Sequence, residues 1–278
     1  MGQFHYISEN IPTWISVWSE QIKDIIIATP FGTPILNQTF GRMMFYHEDN
    51  VTVSPYSNIV KVIKENNMNA LLYVQDDVLI TGSLLRKAEK CEWIWEFSEG
   101  NNFLQKEEAP SITLYQNGES RSRSIRDYQK WMGWENCQEK FLKMFSEKVV
   151  EPYLHKSEMG DAFINVLHGP AEMVSICLSN PEQTKEFLDI LDLFSKYKLY
   201  LECAIPTAVL WMKMRFNIKL NNARLCTDWG EMRYHSSQLF NNCWKSKGSY
   251  DIIHPIKIGL KAAKISNWTE YFHKVIEL

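Results

Sequence analysis

The sequence predicts an α/β fold with a central mixed, mostly parallel sheet flanked by helices. Apolar, β-branched stretches predict strands at 24–29, 42–46 and 70–80, and an amphipathic stretch at 55–67 predicts a helix before the third strand. Strand, loop, strand, helix and strand within roughly 60 residues is the layout of crossover units. Because 45% of the 278 residues are hydrophobic, the chain can bury one large core, and we predict a single domain over 1–278.

The first two predicted strands end in loops that are suited to ligand binding. The strand at 24–29 ends in Thr29 and Pro30, and the strand at 42–46 is followed by a polar run that includes Asp49. Sheets of this class bind ligands at the carboxyl ends of their strands. We therefore expect Thr29, Pro30 and Asp49 to line a binding site.

Two adjacent acids interrupt the apolar run that predicts the third strand. Asp76 and Asp77 interrupt the apolar run from Ala70 to Ile80, which resumes directly after them. An ionised carboxylate in an apolar interior is costly unless it is paired or bound to a metal. We expect the two acids at a strand end that faces a cation, and a solvated turn after an ordinary strand is the alternative.

Tryptophans concentrate in the middle of the chain, where the apolar periodicity is lost. Trp93 and Trp95 share one face of a predicted strand and are expected in the core. The stretch 112–115 followed by Asn-Gly predicts a hairpin. Trp131 and Trp134 are predicted in a loop, where their rings would either stack on a sugar or pack in the core.

The second half of the chain continues the alternation of helices and strands. The stretch 139–150 is amphipathic, and 162–167 is an apolar run introduced by acids that include Asp161. Asn180 as cap and Pro181 at the first helical position predict the start of a second helix. Asp161 thus repeats the pattern of a carboxylate bordering a strand, which makes it a candidate for ligand binding.

Two late features carry chemistry. Glu202 is the one acid in the apolar run 199–210, before a helix start predicted at Pro206. A carboxylate surrounded by apolar groups binds a proton more readily than one in water, which suits a general base, and a surface loop is the alternative. His254 and Lys257 flank a proline in a locally basic segment. Histidine ligates metals, while lysine meets phosphate oxygens.

Composition excludes several classes of protein. The formal net charge is only −3 and basic residues are spread along the chain, so we predict neither nucleic-acid binding nor a membrane-binding patch. No signal peptide is visible at the start, and no apolar run reaches the ~18 residues that span a bilayer. The six cysteines lie far apart without a Cys-x-x-Cys pair, which predicts reduced thiols in a cytosolic protein.

A metal-bound diphosphate explains these features together. Asp77, with Asp76 as a further ligand or a donor contact, would hold Mg²⁺ or Mn²⁺, and His254 would complete the coordination. Lys257 would neutralise the leaving diphosphate, and Glu202 would deprotonate an acceptor hydroxyl. The combination predicts transfer of a sugar from a nucleoside diphosphate.

The same residues resemble the metal-dependent glycosyltransferases of the GT-A fold. The segment 75–77 is similar to the Asp-x-Asp marker of that family, with Gln75 in place of its first aspartate. The stretch 254–257 is similar to the late histidine motif that reaches the metal, and Glu202 to the acid that opens the acceptor-side helix of inverting members. The resemblance implies a three-layer sandwich with a nucleotide-binding half over about 1–82 and an acceptor-binding half over about 83–278.

Short stretches point more closely within this family. Tyr-Val-Gln-Asp-Asp-Val at 73–78, Leu-Glu-Cys-Ala-Ile-Pro-Thr at 201–207 and His-Pro-Ile-Lys at 254–257 resemble soluble glycosyltransferases of large DNA viruses that infect algae, xylosyltransferases among them. The resemblance implies UDP-xylose as donor, a fucose-containing glycan of a viral capsid protein as acceptor, inversion at the anomeric carbon, and the host-cell cytoplasm as location. Trp131, Trp134 and Asp161 would then face the acceptor.

Two other functions fit part of the pattern. A metal-dependent phosphoesterase or nucleotide hydrolase would use the same acids and His254 to activate water, although it usually needs a denser ligand set than seven scattered histidines provide. A non-catalytic glycan-binding protein would need only the tryptophan-rich middle. Phosphate release without an acceptor would favour the first, and lack of metal-dependent stabilisation by UDP would favour the second.

Overall fold

A computed structural model describes most of the chain in segments. The described residues are 2–3, 24–30, 42–48, 56–66, 68–75, 78–98, 112–122, 134–169, 171, 173–227, 243 and 250–254. They form two β-sheets with α-helices packed on them. The predicted α/β class is therefore confirmed.

Thirteen strands and five α-helices are numbered here in chain order within the described residues. Strands β1 to β13 are Gly2–Gln3, Asp24–Pro30, Arg42–Glu48, Ala70–Gln75, Leu79–Ile80, Trp93–Ser98, Ile112–Tyr115, Ser120–Ser122, His155–Lys156, Ala162–Val166, Met173–Cys177, Leu220–Thr227 and Ile252–His254. Helices α1 to α5 are Tyr56–Glu65, Gly82–Glu89, Trp134–Met144, Pro181–Lys196 and Leu201–Phe216, and a 3-10 turn spans Glu151–Tyr153.

The main sheet is mixed, with strand order β3-β2-β1-β4-β11-β6-β12-β13-β5. Strands β1 to β4 run parallel to their neighbours among themselves, as do β6, β12 and β13. Strand β11 is antiparallel to both β4 and β6, so the two parallel groups run in the same direction. The carboxyl ends of both groups therefore meet at one edge, which we call the carboxyl edge.

The main sheet must curl strongly between β4 and β5. These strands are four Cα steps apart in the chain, from Gln75 to Leu79, and four steps span at most about 15 Å. They are also five strand spacings apart in the sheet, which would be about 24 Å in a flat sheet. The short connection is possible only if the sheet curls and brings β5 with β13 back toward the end of β4.

The smaller sheet is antiparallel and has the order β8-β7-β10-β9. Its β7–β8 hairpin confirms the turn predicted from Asn-Gly. The Gly118 amide donates to the Tyr115 carbonyl at 3.0 Å, and Gly118 has a φ of +90°, a conformation that glycine adopts without a Cβ clash.

Both faces of the central strands are covered. Tyr73 of β4 lies in the main hydrophobic cluster together with residues of α1, α4 and α5, and its neighbour Val74, on the opposite face, is also buried. Helix α2 packs on β4 and β11. Trp93 and Trp95 are 5% and 1% exposed, which confirms their predicted place in the core.

Aromatic side chains join the helices around Trp211. The fully buried Trp211 ring of α5 stacks on Tyr153 of the 3-10 turn with centroids 4.5 Å apart. It also packs against Phe194 of α4 at 5.3 Å, and Phe194 meets Phe141 of α3 edge-on at 5.8 Å. Aromatic pairs at these distances stabilise beyond their buried area, so Trp211 fixes α5 within the core.

Helix α4 begins where its capping residues predict. Asn180 Oδ1 accepts hydrogen bonds from the Glu182 and Gln183 amides at 3.0 and 3.2 Å, and Pro181 occupies the first helical position. Among the described helices, none is long and apolar enough to cross a membrane.

The helix predicted at 139–150 has different bounds. Helix α3 is Trp134–Met144, so Trp134 begins a helix instead of lying in a loop. Beyond Met144 the amides of Glu147 and Val150 bond to carbonyls three residues earlier, both at 2.9 Å. Tight turns replace the α-helix there, where the sequence reaches two β-branched valines.

The prediction that all six cysteines are reduced is wrong. The disulfides are Cys91–Cys177 and Cys226–Cys243, and the buried free thiols are Cys137 and Cys203. Cys91 precedes β6 and Cys177 ends β11, and these strands are antiparallel neighbours. The sheet thus brings together two cysteines that are 86 residues apart in sequence, a pairing that sequence spacing does not reveal.

Asp251 holds β13 in place beside β12 and α2. Its amide donates to the Arg224 carbonyl at 2.9 Å, and its carboxylate accepts the Arg224 amide at 3.0 Å. Its carbonyl accepts the Thr81 amide at 3.0 Å, and Thr81 caps α2. Asp251 is 8% exposed, so these bonds are protected from water.

Replacing Asp251 should destabilise the protein. We expect Asp251→Ala to lower the free energy of unfolding by about 1–3 kcal/mol, because the Arg224 amide loses its acceptor. Asp251→Asn should cost less, since its amide oxygen can still accept that hydrogen bond. Urea unfolding measures both, and Asp189→Ala, which removes only a surface ion pair with Lys185, is the control. Equal stabilities for Asp251→Ala and the control would contradict the anchoring role.

Candidate active site at the carboxyl edge

Several residues predicted from the sequence lie at the carboxyl edge. Thr29 and Pro30 are the last two residues of β2, which extends one residue beyond the predicted strand. Glu48 ends β3, and Asp49, which follows it, lies outside the described residues. The strand ends on which these predictions depend therefore share one edge of the sheet.

The end of β4 is bonded to the segment that leads into β11. Gln75 Nε2 donates to the Ala171 carbonyl at 3.2 Å. Asp76 and Asp77 follow Gln75 in the sequence but lie outside the described residues. The described chain resumes at Val78, which is fully buried. Strand β4 thus ends directly before the acids, as expected, and the rest of the apolar run 70–80 forms a second strand, β5.

His254 is the last residue of β13 and is 2% exposed. Strand β13 pairs with β5 in a register that sets Ile252 opposite Ile80 and Ile253 opposite Leu79. The same register continued by one residue sets His254 opposite Val78. Lys257 lies outside the described residues.

Glu202 forms a side-chain pair with His168. The distance from His168 Nε2 to Glu202 Oε2 is 3.2 Å, and the side chains are 14% and 31% exposed. His168 follows β10 on the way to β11, and Glu202 is the second residue of α5. The Glu202 carboxylate therefore has a hydrogen-bonding partner and remains accessible to solvent, unlike the enclosed carboxylate that the apolar run predicted.

Helix α5 begins earlier than predicted, and Pro206 therefore lies inside it instead of at its start. The helix starts at Leu201, and the Ala204 amide already donates to the Tyr200 carbonyl at 2.8 Å. A proline inside a helix has no amide hydrogen for the carbonyl four residues earlier, which here is that of Glu202. The Gly169 amide takes this position and donates to the Glu202 carbonyl at 3.0 Å.

Two further contacts hold the segment 165–169 along the same helix. Thr207 Oγ1 accepts the Leu167 amide at 3.0 Å and donates to the Leu167 carbonyl at 3.1 Å. Trp211 Nε1 donates to the Asn165 carbonyl at 2.7 Å. Backbone groups of residues 165, 167 and 169 are thus bound in turn by residues 211, 207 and 202.

Gly169 approaches the core too closely for any larger residue. A Cβ atom on Gly169 would lie 2.8 Å from Cζ2 and 3.0 Å from Cη2 of Trp95, and 3.8 Å from Cγ of Pro206. Because Trp95 is almost fully buried, its ring cannot move aside without disturbing the core. Glycine is therefore required here by space.

The structure does not bring Asp161 to the Glu202–His168 pair. Asp161 is exposed in the turn between β9 and β10, where its amide donates to Ser157 Oγ at 3.1 Å. Strand β10 separates this turn from His168, a distance of roughly 17 Å along an extended chain. Trp134 begins α3, while Trp131 lies outside the described residues.

His168 is the functional candidate that sequence reasoning missed. It belongs to a His-Gly-Pro sequence directly after a predicted strand, which marks a chain turn at a strand end. That signal marks a place where ligand-binding residues occur, but the pairing with Glu202 depends on the fold. Among the described residues, no group of three or more His, Cys, Asp or Glu side chains is arranged to hold a metal ion.

The solved structures that this chain resembles include one distant match with a nucleotide-dependent transferase in its name. No protein-family model matches the chain, and no curated protein is significantly similar to it in sequence. The inositol-1-phosphate CTP transferase from T. maritima aligns over 98% of this chain and 85% of its own, with 9% identity and a TM-score of 0.42. Both values are below those that identify a shared fold family, so the site rests on the geometry described above.

A double-mutant cycle tests the close approach of Gly169 to Trp95. We expect Gly169→Ala to lower the free energy of unfolding by about 1–3 kcal/mol through overpacking. In a Trp95→Phe background, which removes the two ring atoms, the same substitution should cost at least ~0.5 kcal/mol less. Chemical denaturation of the four proteins measures this coupling, and strictly additive effects would contradict the contact.

Proposed function

We propose that the protein is an inverting, metal-dependent glycosyltransferase that transfers a sugar from a nucleoside diphosphate to an acceptor hydroxyl. The sequence resemblance favours UDP-xylose as the donor, a fucose-containing glycan of a viral capsid protein as the acceptor, and a GT-A sandwich as the fold. Thr29, Pro30 and Asp49 are the proposed contacts to the nucleotide, at the ends of β2 and β3.

One observation carries the proposal: both ends of the segment that contains Asp76 and Asp77 are fixed beside other candidate residues. On one side, Gln75 is bonded to Ala171, in the short stretch that follows His168. On the other side, the β5–β13 register pairs Ile253 with Leu79, and its continuation by one residue would set Val78 opposite His254.

Chain continuity therefore supports a place for the two acids between His254 and the Glu202–His168 pair. Asp77 directly precedes Val78 in the sequence, and Asp76 directly follows Gln75. This adjacency supports the proposed roles of Asp77 with His254 and of Asp76 on the side of the Glu202–His168 pair. A metal site and a base on two sides of one sugar are what a glycosyl transfer requires.

The proposed cofactor is Mg²⁺ or Mn²⁺, because carboxylate oxygens suit both ions. A histidine ligand favours Mn²⁺, which is the transition metal of the two. Asp77 and His254 are the proposed ligands, with Asp76 as a further ligand or a contact to the donor. When bound, the ion would neutralise charge on the departing diphosphate, and Lys257 would meet the same phosphate oxygens.

Glu202 is the proposed general base. Its carboxylate would accept the proton of the acceptor hydroxyl while that oxygen attacks the anomeric carbon. The bond from this carbon to the diphosphate oxygen would break on the opposite face, and its electron pair would leave with the nucleoside diphosphate. A single displacement of this kind inverts the anomeric configuration. The 31% exposure of the Glu202 side chain supports access by an acceptor.

The proposed acceptor contacts are Trp131, Trp134 and Asp161. Tryptophan rings offer flat faces for stacking on sugars. Asp161, at the far end of β10, suits a remote unit of an acceptor with several sugars better than the reacting hydroxyl itself.

Replacing Glu202 tests the proposal. With Mn²⁺, UDP-xylose and fucosylated acceptors, Glu202→Gln should lower kcat by about 10²–10⁴-fold, because the amide cannot accept the proton. The donor should still bind, since the proposed donor contacts are other residues. Transfer is measured by mass spectrometry of the acceptor, alongside UDP-glucose, UDP-galactose and GDP-mannose as competing donors.

Glu182→Gln is the matched control. Glu182 is also the second residue of a helix, α4, but it is exposed on the outside of the protein, so its removal should leave kcat unchanged. Wild-type turnover by Glu202→Gln would contradict the assignment of the base. Donor cleavage at the same rate with and without acceptor would favour a nucleotide hydrolase.

A further inference from the structure

We propose that Pro206 is a positioning residue, which keeps the Glu202 carbonyl available for Gly169 and thereby holds His168 against the Glu202 carboxylate. The inference rests on the proposed role of Glu202 as the base. It concerns how that base is held, and it assigns functions to Pro206, Gly169 and His168 that the transfer chemistry alone does not require.

Pro206 leaves one hydrogen bond of the helix open. The Glu202 carbonyl would accept the amide of residue 206 in a regular helix, and proline has none. The proline ring also crowds the carbonyl of residue i−4, which favours a partner outside the helix. That partner is the Gly169 amide at 3.0 Å, and Pro206 Cγ lies within contact distance of the Gly169 position.

The hydrogen-bonded positions of the segment and of the helix have similar spacings. Strand β10 ends at Val166, and a chain that continued in the extended conformation would rise about 6.6 Å between residues 165 and 167 and again between 167 and 169. Helix positions 211, 207 and 202 are four and five residues apart, which is about 6 and 7.5 Å along the axis. The segment can therefore bind at all three positions, and the last of them depends on a free carbonyl in the helix.

His168 lies between two residues whose backbone groups are bound to helix α5. The Leu167 amide and carbonyl are bound by Thr207, and the Gly169 amide is bound by Glu202. The backbone on both sides of His168 is thus attached to the helix that carries the base. The imidazole reaches Glu202 Oε2 at 3.2 Å and is the less exposed of the two side chains.

This arrangement would give the carboxylate a fixed orientation. A free glutamate side chain samples several rotamers, and a hydrogen bond at one oxygen removes most of them. His168 engages Oε2, and among the described residues Oε1 has no side-chain hydrogen bond to the protein. Oε1 is accordingly the oxygen that we assign to the acceptor hydroxyl.

Pro206→Ala tests the inference directly, because it restores the missing amide hydrogen. The helix becomes more regular, and the Glu202 carbonyl gains an internal partner that competes with Gly169. We expect hydrogen–deuterium exchange at the Gly169 amide to accelerate about tenfold or more. We also expect kcat to fall about tenfold with KM for the acceptor unchanged, while the melting temperature stays within a few degrees.

Pro181→Ala is the matched control for the proline. Pro181 occupies the first position of α4, where the amide has no partner within the helix, so neither Gly169 exchange nor kcat should change. His168 provides the second comparison. His168→Gln retains a donor that can reach Glu202 and should keep more of kcat than His168→Ala, with equal KM values.

Hydrogen exchange and kinetics together distinguish a failure of the positioning role of Pro206 from a failure of the proposed glycosyl transfer. Wild-type Gly169 exchange and wild-type kcat in Pro206→Ala would overturn the positioning role, as would full activity of His168→Ala. If the unmodified protein transfers no sugar under any condition, the proposed function fails instead. Gly169 exchange in Pro206→Ala then decides by itself whether proline controls this contact.

Discussion

The attachment of the segment 165–169 to helix α5 is the interaction on which the candidate site depends. Helix α5 contributes Trp211 to the core, where aromatic rings fix it, and it leaves the Glu202 side chain accessible to solvent. The bonds at Thr207 and Glu202 transmit this rigidity to His168. The Glu202 carboxylate is thus supported from the core through His168.

The other side of the site depends on the curl of the main sheet. A connection as short as that between β4 and β5 brings the end of the central strand and the last strand of the sheet together. Asp251 then fixes β13 through backbone and side-chain bonds to Arg224 and Thr81. The two halves of the site thus have separate structural supports, one in the helix and one in the sheet.

Local sequence signals predicted the elements whose formation is decided locally. Capping predicted the α4 start, turn chemistry predicted the β7–β8 hairpin, and apolar runs at 24–29 and 162–167 predicted strands β2 and β10 to within one residue. Helix α2 and strands β11 and β12 were not predicted, because their patterns are short and their stability comes from neighbours distant in sequence. The Cys91–Cys177 disulfide and the His168–Glu202 pair were missed for the same reason, since strand order decides which residues meet.

The central claim is that Asp77 and His254 hold one divalent ion at the carboxyl edge, across the donor diphosphate from Glu202. X-ray diffraction at the manganese absorption edge, from crystals grown with Mn²⁺ and UDP, tests this directly. The account predicts an anomalous peak that is bound by the Asp77 carboxylate, the His254 imidazole and the diphosphate of UDP. UDP bound at this edge without manganese, or manganese bound only at residues away from Asp77 and His254, would contradict it.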